Sequence, residues 1–177
     1  MSLANAVHLA MLSISQLYIY PIKSLGGIAV TSAIVTNRGL QYDRRYMLVD
    51  ANNLFITQRE LRTMALFRTD IEANELIVCH KDNPADKLRV PLVQEPSGLT
   101  TMVKIWDDWC EAQYINEGVD KWFSDKLSLS CRLVYMPAST KRKCNAAYAF
   151  NDEITSFSDG YPILLVGQSS LDDLNSR

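Results

Sequence analysis

Apolar residues recur in short alternating runs along most of the chain, a pattern typical of β-strands that bury one face. We predict strands at residues 14–20, 28–36, 45–50, 54–57, 66–72, 75–80, 88–93, 103–106, 109–115, 131–136 and 162–166. These runs are short, and turn-forming residues separate them at nearly regular intervals. The pattern therefore predicts a β-barrel-like domain.

Three pairs of these strands are predicted to form hairpins. Their turns fall at residues 51–53, at Ala73-Asn74 and at Asp107-Asp108, where asparagine and aspartate tolerate left-handed or turn backbone. Residues 81–86 are polar and are predicted to form a loop. Pro91 cannot donate a ladder hydrogen bond, so the strand at residues 88–93 is predicted to lie at a sheet edge.

Aromatic residues cluster around the third turn. Trp106, Trp109 and Tyr114 flank Asp107-Asp108. Large aromatic side chains contribute much of the buried apolar area of a domain. We therefore predict that these three pack in the core or against side chains of neighbouring strands.

Helical spacing occurs in only two places. Val119, Trp122 and Phe123 fit one face of a helix at residues 117–127, and Asn116 is a suitable N-cap. A second helix is predicted to begin near residues 169–173, where a serine precedes an aspartate by three positions. Only about one further turn follows, so its apolar side has little to pack against.

The predicted fold class is thus mainly β with minor α (α+β): a barrel-like domain with one packed helix. We assign that domain to residues 13–136. Residues 137–177 are interpreted as a linker and the incomplete start of a second domain, so we expect the chain to stop shortly after that domain begins.

Composition narrows the function classes. The 177 residues carry a net charge of −2, whereas nucleic-acid-binding domains usually carry a basic excess. No apolar run approaches the roughly 20 residues of a membrane span. Residues 5–12 lack the basic region of a signal peptide. We therefore expect a cytoplasmic protein that binds neither nucleic acid nor a membrane.

The four cysteines do not predict a metal site. None of Cys79, Cys110, Cys131 and Cys144 follows another at C-x-x-C spacing, and the chain has only two histidines. A structural zinc site is therefore not expected. Reduced, mostly buried thiols are the simpler interpretation in the cytoplasm.

Residues near the end of the first predicted strand could bind an anion. Pro21 should end that strand, and Lys23 and Ser24 then supply a cation and a hydroxyl. A second cationic segment, Asp43-Arg44-Arg45, follows, in which the carboxylate could orient one guanidinium and leave the other for a ligand. Arg59 could join the same site. Solvated surface charges are the alternative for each segment.

Two later segments allow chemistry but also simpler interpretations. Cys144 follows Lys141-Arg142-Lys143, and these cations would favour the reactive thiolate. The alternative is a mobile basic loop, which could contact an acidic partner. Asp159-Gly160 could hold a ligand through backbone N–H groups or could simply form a turn. The sequence contains no dinucleotide-binding or Walker-type glycine loop and no H-E-x-x-H motif.

Five motifs in a fixed order give the chain a resemblance to a known family. They are Tyr20-Pro21-Ile22-Lys23-Ser24; Gly39-Leu40 with Asp43-Arg44-Arg45-Tyr46; Phe55-Ile56-Thr57-Gln58-Arg59; Phe157-Ser158-Asp159-Gly160-Tyr161-Pro162; and Ser170-Leu171-Asp172-Asp173-Leu174-Asn175. In this order they resemble MOSC proteins with an N-terminal β-barrel domain. That group includes bacterial MOSC reductases and the mitochondrial amidoxime-reducing component. The resemblance extends from about residue 14 to residue 177.

The resemblance implies a molybdenum cofactor bound between the barrel and the MOSC domain. By position, Lys23, Ser24 and Arg44 match family contacts to the phosphate end of the cofactor, and Arg59 matches a further basic position. The turn formed by Ser158, Asp159, Gly160 and Tyr161 matches a loop that lines the cofactor. In the family, a cysteine late in the MOSC domain binds the metal. That position would lie beyond residue 177, so we assign no catalytic or metal-binding residue to this chain.

Two functions follow from the resemblance. The first is part of an oxidoreductase that reduces N-hydroxylated compounds with electrons from a redox partner; the chain alone is then expected to be inactive. The second is a non-catalytic module that carries sulfur or handles the cofactor.

Overall fold

The computed structural model describes residues 12–94 and 98–177. Within these ranges the chain forms short β-strands, one 3-10 helix and two α-helices. The strands are β1 (Tyr18–Ile19), β2 (Ile28–Ala29), β3 (Val35–Thr36), β4 (Gly39–Leu40), β5 (Tyr46–Val49), β6 (Phe67–Glu72), β7 (Glu75–His80), β8 (Asn83–Pro91), β9 (Thr100–Ile105), β10 (Asp108–Tyr114), β11 (Arg132–Tyr135), β12 (Arg142–Lys143) and β13 (Ile154–Thr155). The helices are the 3-10 helix Arg62–Leu66, α1 (Glu117–Leu127) and α2 (Gln168–Asn175). Residues 5–11 of the segment tested above for a signal peptide lie outside the described residues.

A four-stranded antiparallel sheet forms the centre of the fold, in the order β5-β11-β10-β9. Every residue of β5 is buried because both faces of this strand are covered. Successive side chains of a strand point to opposite faces. Leu48 of β5 and Leu133 of β11 thus join one apolar cluster. Met47 and Val134 join another.

The first cluster fills the space between this sheet, the three-stranded sheet β6-β7-β8 and helix α1. Phe67, Leu76 and Phe123 are among its fully buried members. Helix α1 occupies the predicted residues. Asn116 caps it as predicted, because its Oδ1 accepts a hydrogen bond from the Val119 amide at 2.9 Å.

The second cluster packs on the other side of β5 and β11. Phe157, which lies late in the chain, is fully buried there beside Met47 and Val103. The Phe157 amide donates to the Arg44 carbonyl at 2.9 Å. The segment around β13 is therefore attached to the central sheet. A domain boundary at residue 136 stays a prediction.

The predicted fold class is confirmed: the described residues are mainly β with two α-helices, and α1 packs against the first apolar cluster. The hairpin turns at residues 51–53 and at Ala73-Asn74 are confirmed, and Asn53 adopts left-handed backbone with a φ of 61°. The edge position of the strand that contains Pro91 is also confirmed.

Several strand predictions near the N-terminus were wrong. The first strand is limited to β1, Tyr18–Ile19. Residues 28–36 form two short strands with different partners, since β2 pairs with β1 whereas β3 pairs with β4.

The predicted loop at residues 81–86 mostly belongs to β8, which begins at Asn83. An edge strand with an exposed face accepts polar residues, so its composition resembles that of a loop.

The third hairpin turn lies one residue earlier than predicted. Asp108 pairs with Ile105, so the turn consists of Trp106 and Asp107, and Trp106 has a φ of 55°. The packing predicted for the aromatics is confirmed for half-buried Trp106, which packs against the second cluster and also lines a cleft, whereas Trp109 is 55% exposed and joins neither cluster. Tyr114 packs against the second cluster.

Three predictions in the last forty residues need correction. The segment interpreted as a possible mobile basic loop, around Lys141-Arg142-Lys143, contains β12, which pairs with β13. Residues 162–166 form no strand, and Leu165 is 88% exposed, because an apolar run becomes a strand only where another strand offers a partner. Helix α2 has Gly167 rather than a serine as its N-cap residue. As predicted, α2 buries none of its residues.

In the described part of the chain, neither α-helix has the length and apolar character needed to cross a membrane.

Candidate functional site

A polar cleft of about 290 Å³ opens where five loops meet at one end of the central sheet. The first loop comes after β1, the second comes directly before β5, and the third lies between β5 and the 3-10 helix. The fourth is the turn between β9 and β10, and the fifth comes after β13. The residues that line it are Tyr20, Lys23, Ser24, Leu25, Arg44, Thr57, Gln58, Arg59, Trp106 and Asp159.

The first of these loops is fixed by hydrogen bonds to β5. The Lys23 amide donates to the Tyr46 carbonyl at 2.8 Å, and the Tyr46 amide donates to the Pro21 carbonyl at 3.0 Å. Ser24 then adopts left-handed backbone with a φ of 65°. Gly26 allows the chain to pass close to β6, since a Cβ there would lie 2.7 Å from the Phe67 carbonyl oxygen. Lys23 and Ser24 therefore occupy a rigid position at the cleft.

Lys23 is the most buried cation of the cleft, with 7% of its surface exposed. Its Nζ lies 2.6 Å from Oδ1 of Asp159 and 5.7–5.8 Å from the ring centres of Trp106 and Phe55. Burial lowers the pKa of Lys23, although Asp159 opposes this effect. The ammonium group thus already has an anionic partner inside the protein.

Asp159 contributes its carboxylate to the cleft. Oδ1 accepts hydrogen bonds from Lys23 and from Nε1 of Trp106, the latter at 3.1 Å. Burial tends to raise the pKa of this carboxyl group, but the contacts with Lys23 and Trp106 outweigh it and hold the pKa below its usual value. The sequence prediction concerned backbone N–H groups at Asp159-Gly160, whereas the structure presents a negative charge.

Arg44 reaches the cleft from a strained backbone position, with a φ of 47°. Its guanidinium forms an ion pair with Asp43 through one nitrogen and stacks on the ring of Tyr20 at 4.7 Å. Asp43 is buried, which raises its pKa despite the ion pair with Arg44. Asp43 therefore orients Arg44, while the neighbouring Arg45 turns to a different cleft.

Arg59 lies across the cleft on the indole of Trp106, with 4.9 Å between its guanidinium carbon and the ring centre. The loop that carries it is attached to the first loop, because Nε2 of Gln58 donates to the Ser24 carbonyl at 2.8 Å. Three cations from separate loops, Lys23, Arg44 and Arg59, thus converge on one space.

The structure brings five of the eight predicted site residues to this cleft: Lys23, Ser24, Arg44, Arg59 and Asp159. The other three do not line it. Ser158 is buried, and its hydroxyl lies 2.9 Å from that of Thr155. The Tyr161 hydroxyl donates to the Asn145 carbonyl at 3.3 Å, and a Cβ at Gly160 would meet nothing within 4 Å.

Sequence reasoning missed Trp106 and Arg142 as contributors to the site. Buried Arg142 donates to the carbonyls of Ser156 at 3.0 Å, Ser158 at 2.6 Å and Asp159 at 2.8 Å, and to the Asp108 carboxylate at 2.8 Å. It fixes the loop that presents Asp159. No local sequence signal marks either residue, since both act through contacts that are distant in sequence.

The basic segment around Cys144 does not form an activated thiol. Arg142 is buried in the contacts above, and Lys143 pairs with Asp152 at 2.6 Å. Burial and the nearby Glu153 raise the pKa of Cys144, although Arg142 opposes them. The thiolate hypothesis is therefore wrong, and the segment offers fewer free cations to an acidic partner than its sequence suggests.

The donor set of the cleft suits an oxyanion rather than a metal ion. Three cations, several hydroxyls and an indole N–H line it beside a single carboxylate, that of Asp159, and none of the four cysteines lines it. Burial raises the pKa of Cys110 to about 11, which makes that thiol a poor metal ligand. Across the described ranges, no group of three or more His, Cys, Asp or Glu residues could hold a metal.

Comparison with known proteins adds a family match. The family model described as "MOSC N-terminal beta barrel domain" matches residues 11–130. The chain is 28% identical to a rice (Oryza sativa subsp. japonica) protein named molybdenum cofactor sulfurase, covering 93% of this chain and 21% of that protein. It is also 28% identical to mouse mitochondrial amidoxime-reducing component 1, covering 93% of this chain and 50% of that protein.

A structural resemblance was found to the solution structure of a Bordetella bronchiseptica protein. The TM-score is 0.46 at 12% identity, over 61% of this chain and 90% of that one. The chain spans half or less of the length of the two relatives described above.

Proposed function

Because the chain belongs to the MOSC N-terminal β-barrel domain family, we propose that its polar cleft binds the phosphate end of the molybdenum cofactor. The observation that carries this proposal is the convergence of Lys23, Arg44 and Arg59 on one cleft. Relatives whose names refer to the molybdenum cofactor support the choice of ligand.

The chemistry of the cleft fits one part of this cofactor. Guanidinium and ammonium groups bind phosphate oxygens by charge-assisted hydrogen bonds, and the Ser24 hydroxyl can donate a further one. A volume of about 290 Å³ is at the lower end for small-molecule sites, which suits a phosphate group and its attached carbons. The lining residues include no ligand for molybdenum, so the described residues would hold only the anionic end.

We propose that the protein of which this cleft is part reduces N-hydroxylated compounds and receives electrons from a redox partner. The similarity to an amidoxime-reducing component supports this reaction class. When bound, the cofactor would supply the redox chemistry of molybdenum. The residues of this chain would neutralise the phosphate, orient the cofactor and limit the access of water. We expect the isolated chain to have no reductase activity of its own. We also propose that the protein acts in the cytoplasm.

A second function is supported by the relatives named molybdenum cofactor sulfurase, from rice and human. In that case the chain would be a non-catalytic module that carries sulfur or handles the cofactor. Sustained reduction of an N-hydroxylated substrate by the longer protein would favour the first function. Binding of the cofactor without such reduction would favour the second.

The test is an equilibrium titration of the purified chain with cofactor freshly released from a donor protein under anaerobic, reducing conditions. Hydrogen bonds to charged groups are worth about 1.5–3 kcal/mol, so Lys23→Ala and Arg44→Ala should each weaken binding at least about tenfold. Arg59→Ala provides a third variant that disrupts no ion pair in the described structure. Lys121→Ala removes an exposed cation of α1 far along the chain and should have no effect.

Each variant must first show the unfolding transition of a folded protein, because Arg44→Ala leaves buried Asp43 without its cation. Unchanged affinity in folded Lys23→Ala, Arg44→Ala and Arg59→Ala would refute the proposed cleft.

A further inference from the structure

A second cleft, of about 360 Å³, shares no lining residue with the first. It lies between the β3–β4 hairpin, the end of β8 and the end of β11. Its lining residues are Thr36, Asn37, Arg38, Leu40, Gln41, Tyr42, Arg45, Leu92, Val93, Tyr135 and Ala138. The residues proposed to bind the cofactor all lie outside this second cleft, so that proposal does not explain it.

Two arginines dominate this second cleft. Arg38 is only 6% exposed, and its terminal nitrogens donate to the carbonyls of Thr140 at 3.1 Å and Ala138 at 3.0 Å. Arg45 stacks on the ring of Tyr135 at 4.8 Å, and its Nη2 donates to the Tyr135 hydroxyl at 3.0 Å. The arginines thus share a pocket whose other polar groups are neutral.

Neither arginine has an anionic partner among the residues that the structure describes. In the described structure, neither Arg38 nor Arg45 lies within 4.0 Å of a carboxylate, whereas Arg44, Arg89 and Arg142 each form an ion pair. Burial lowers the pKa of Arg38, and the nearby charge of Arg45 lowers it further. A buried charge without a counter-ion is costly, so the arrangement of buried Arg38 beside half-buried Arg45 would be stabilised by an anion between them.

Arg45 also has an unsatisfied donor. Its Nε is buried and has no hydrogen-bond partner within the described residues. Buried polar groups without partners are rare in folded proteins and call for an explanation. Structural roles explain the hydrogen bonds of Arg38 to residues 138–140 and those of Arg45 Nη2 to Tyr135 and to the Met136 carbonyl, but they leave Nε of Arg45 and the paired like charges unexplained.

We infer that this second cleft is a binding site for a small oxyanion, a phosphate or a carboxylate, held between Arg38 and Arg45. A guanidinium has five N–H donors in a planar fork that matches the geometry of these anions. The described hydrogen bonds of Arg38 involve only its two terminal nitrogens. An oxyanion would neutralise both charges, and the Tyr135 hydroxyl could also donate to it.

Site-resolved NMR tests this inference without interference from the first cleft. The isotope-labelled chain is titrated separately with inorganic phosphate and with acetate at constant ionic strength. We expect a saturable shift of the backbone amides of Arg38, Tyr42 and Tyr135 with at least one of these anions. A response to phosphate alone identifies a phosphate site, and a response to acetate identifies a site that also accepts carboxylates.

Two variants locate the anion. Arg45→Gln should raise the dissociation constant of the anion, obtained from these shifts, at least about tenfold. The reason is that it removes charge-assisted hydrogen bonds worth about 1.5–3 kcal/mol. Arg132→Gln is the matched control, because exposed Arg132 likewise stacks on a tyrosine, Tyr114, at 5.0 Å and has no ion pair in the described structure. It should titrate like the wild type.

Absence of a saturable shift with either anion at tens of millimolar would overturn the inference, and so would equal affinity in folded Arg45→Gln. If Arg45→Gln does not fold, Tyr135→Phe replaces it and should weaken binding without removing a charge. In that variant, unchanged affinity together with unchanged Arg38 and Tyr42 shifts would count against a site between the arginines. Amides of Lys23 and Arg44 report on the first cleft separately.

Discussion

Asp159 already pairs with Lys23, one of the cations proposed to bind an anionic ligand in the first cleft. Its carboxylate lies 2.6 Å from the Lys23 ammonium, and two-thirds of its side-chain surface remains exposed. The backbone of its loop is held by Arg142, whereas among the described residues the side chain forms hydrogen bonds with Lys23 and Trp106. An incoming phosphate must therefore compete with this carboxylate for Lys23.

We predict that Asp159→Asn strengthens phosphate binding in the first cleft. Because Asp159 is two-thirds exposed, its ion pair with buried Lys23 is partly screened by solvent and should be worth about 1 kcal/mol, so removal of the competing charge should lower the dissociation constant by about fivefold. Isothermal titration calorimetry with inorganic phosphate measures this change. Asp107→Asn removes an exposed aspartate of the neighbouring turn and should have little effect. Weaker binding in Asp159→Asn would show that the carboxylate assists the ligand instead.

The same ion pair predicts a dependence of stability on pH. The pKa of Asp159 is lower in the folded state than in the unfolded chain, so the folded state binds fewer protons. The contribution is present above the unfolded pKa and is lost as the pH falls through the folded pKa. Lowering the pH below about 4 should therefore reduce the stability of the wild type more than that of Asp159→Asn, as measured by urea unfolding at a series of pH values. Parallel curves for the two proteins would contradict the ion pair.

At the scale of elements, the β6–β7 hairpin contains local strain. Both turn residues, Ala73 and Asn74, have positive φ angles, of 47° and 69°. This turn geometry matches the right-handed twist of the flanking strands. Asparagine tolerates the conformation, whereas alanine carries a Cβ that opposes it. The turn is thus stable because of the paired strands, and the alanine is tolerated at a cost.

We predict that Ala73→Gly stabilises the protein by about 1 kcal/mol, because glycine reaches positive φ without a steric penalty. Ala51→Gly is the control. Ala51 occupies the turn after β5 and is exposed, but it does not have a positive φ. It should lose stability because glycine adds entropy to the unfolded chain. Thermal or urea unfolding compares the two, and a lower midpoint for Ala73→Gly would refute the strained-turn interpretation.

Long elements were predictable from sequence, but very short ones were not. Helix α1 and the β6–β7 and β9–β10 hairpins each present several periods of apolar spacing or a strong turn signal. Strands β1, β2, β3 and β12 contain only two residues each. Two residues are too few to show the alternation of apolar and polar positions that marks a strand. Such strands form because a neighbouring strand is close enough to pair with them. The apolar residues 162–166 show the converse, since they have no partner strand in the described structure.

At the scale of the whole molecule, the site depends on contacts between distant segments. Local charge and a family resemblance were enough to predict Lys23, Ser24, Arg44 and Arg59, and the structure places these residues in one cleft. The two-sided burial of β5 and the charge of Asp159 in the cleft were not predicted. Those features follow from which loops meet in space, and no residue type reveals this locally.

Arg142 is the clearest example of such a distant contact, and it offers a test of the molecule as a whole. Its guanidinium contacts three carbonyls of residues 156–159 and the carboxylate of Asp108 in β10. It therefore connects the segment around β13 to the central sheet. Lys143 is adjacent in sequence but exposed, and its side chain pairs with exposed Asp152.

We predict that Arg142→Gln costs roughly 2–4 kcal/mol of stability, because it leaves buried carbonyl groups and Asp108 without their donor. The loss should be greatest around Asp159, so hydrogen exchange at residues 156–159 should accelerate more than exchange in α1. Lys143→Gln is the matched control and should change the unfolding midpoint little, as expected for an exposed ion pair. A uniform acceleration across the chain would mean that Arg142 stabilises the fold globally and does not specifically hold this side of the cleft.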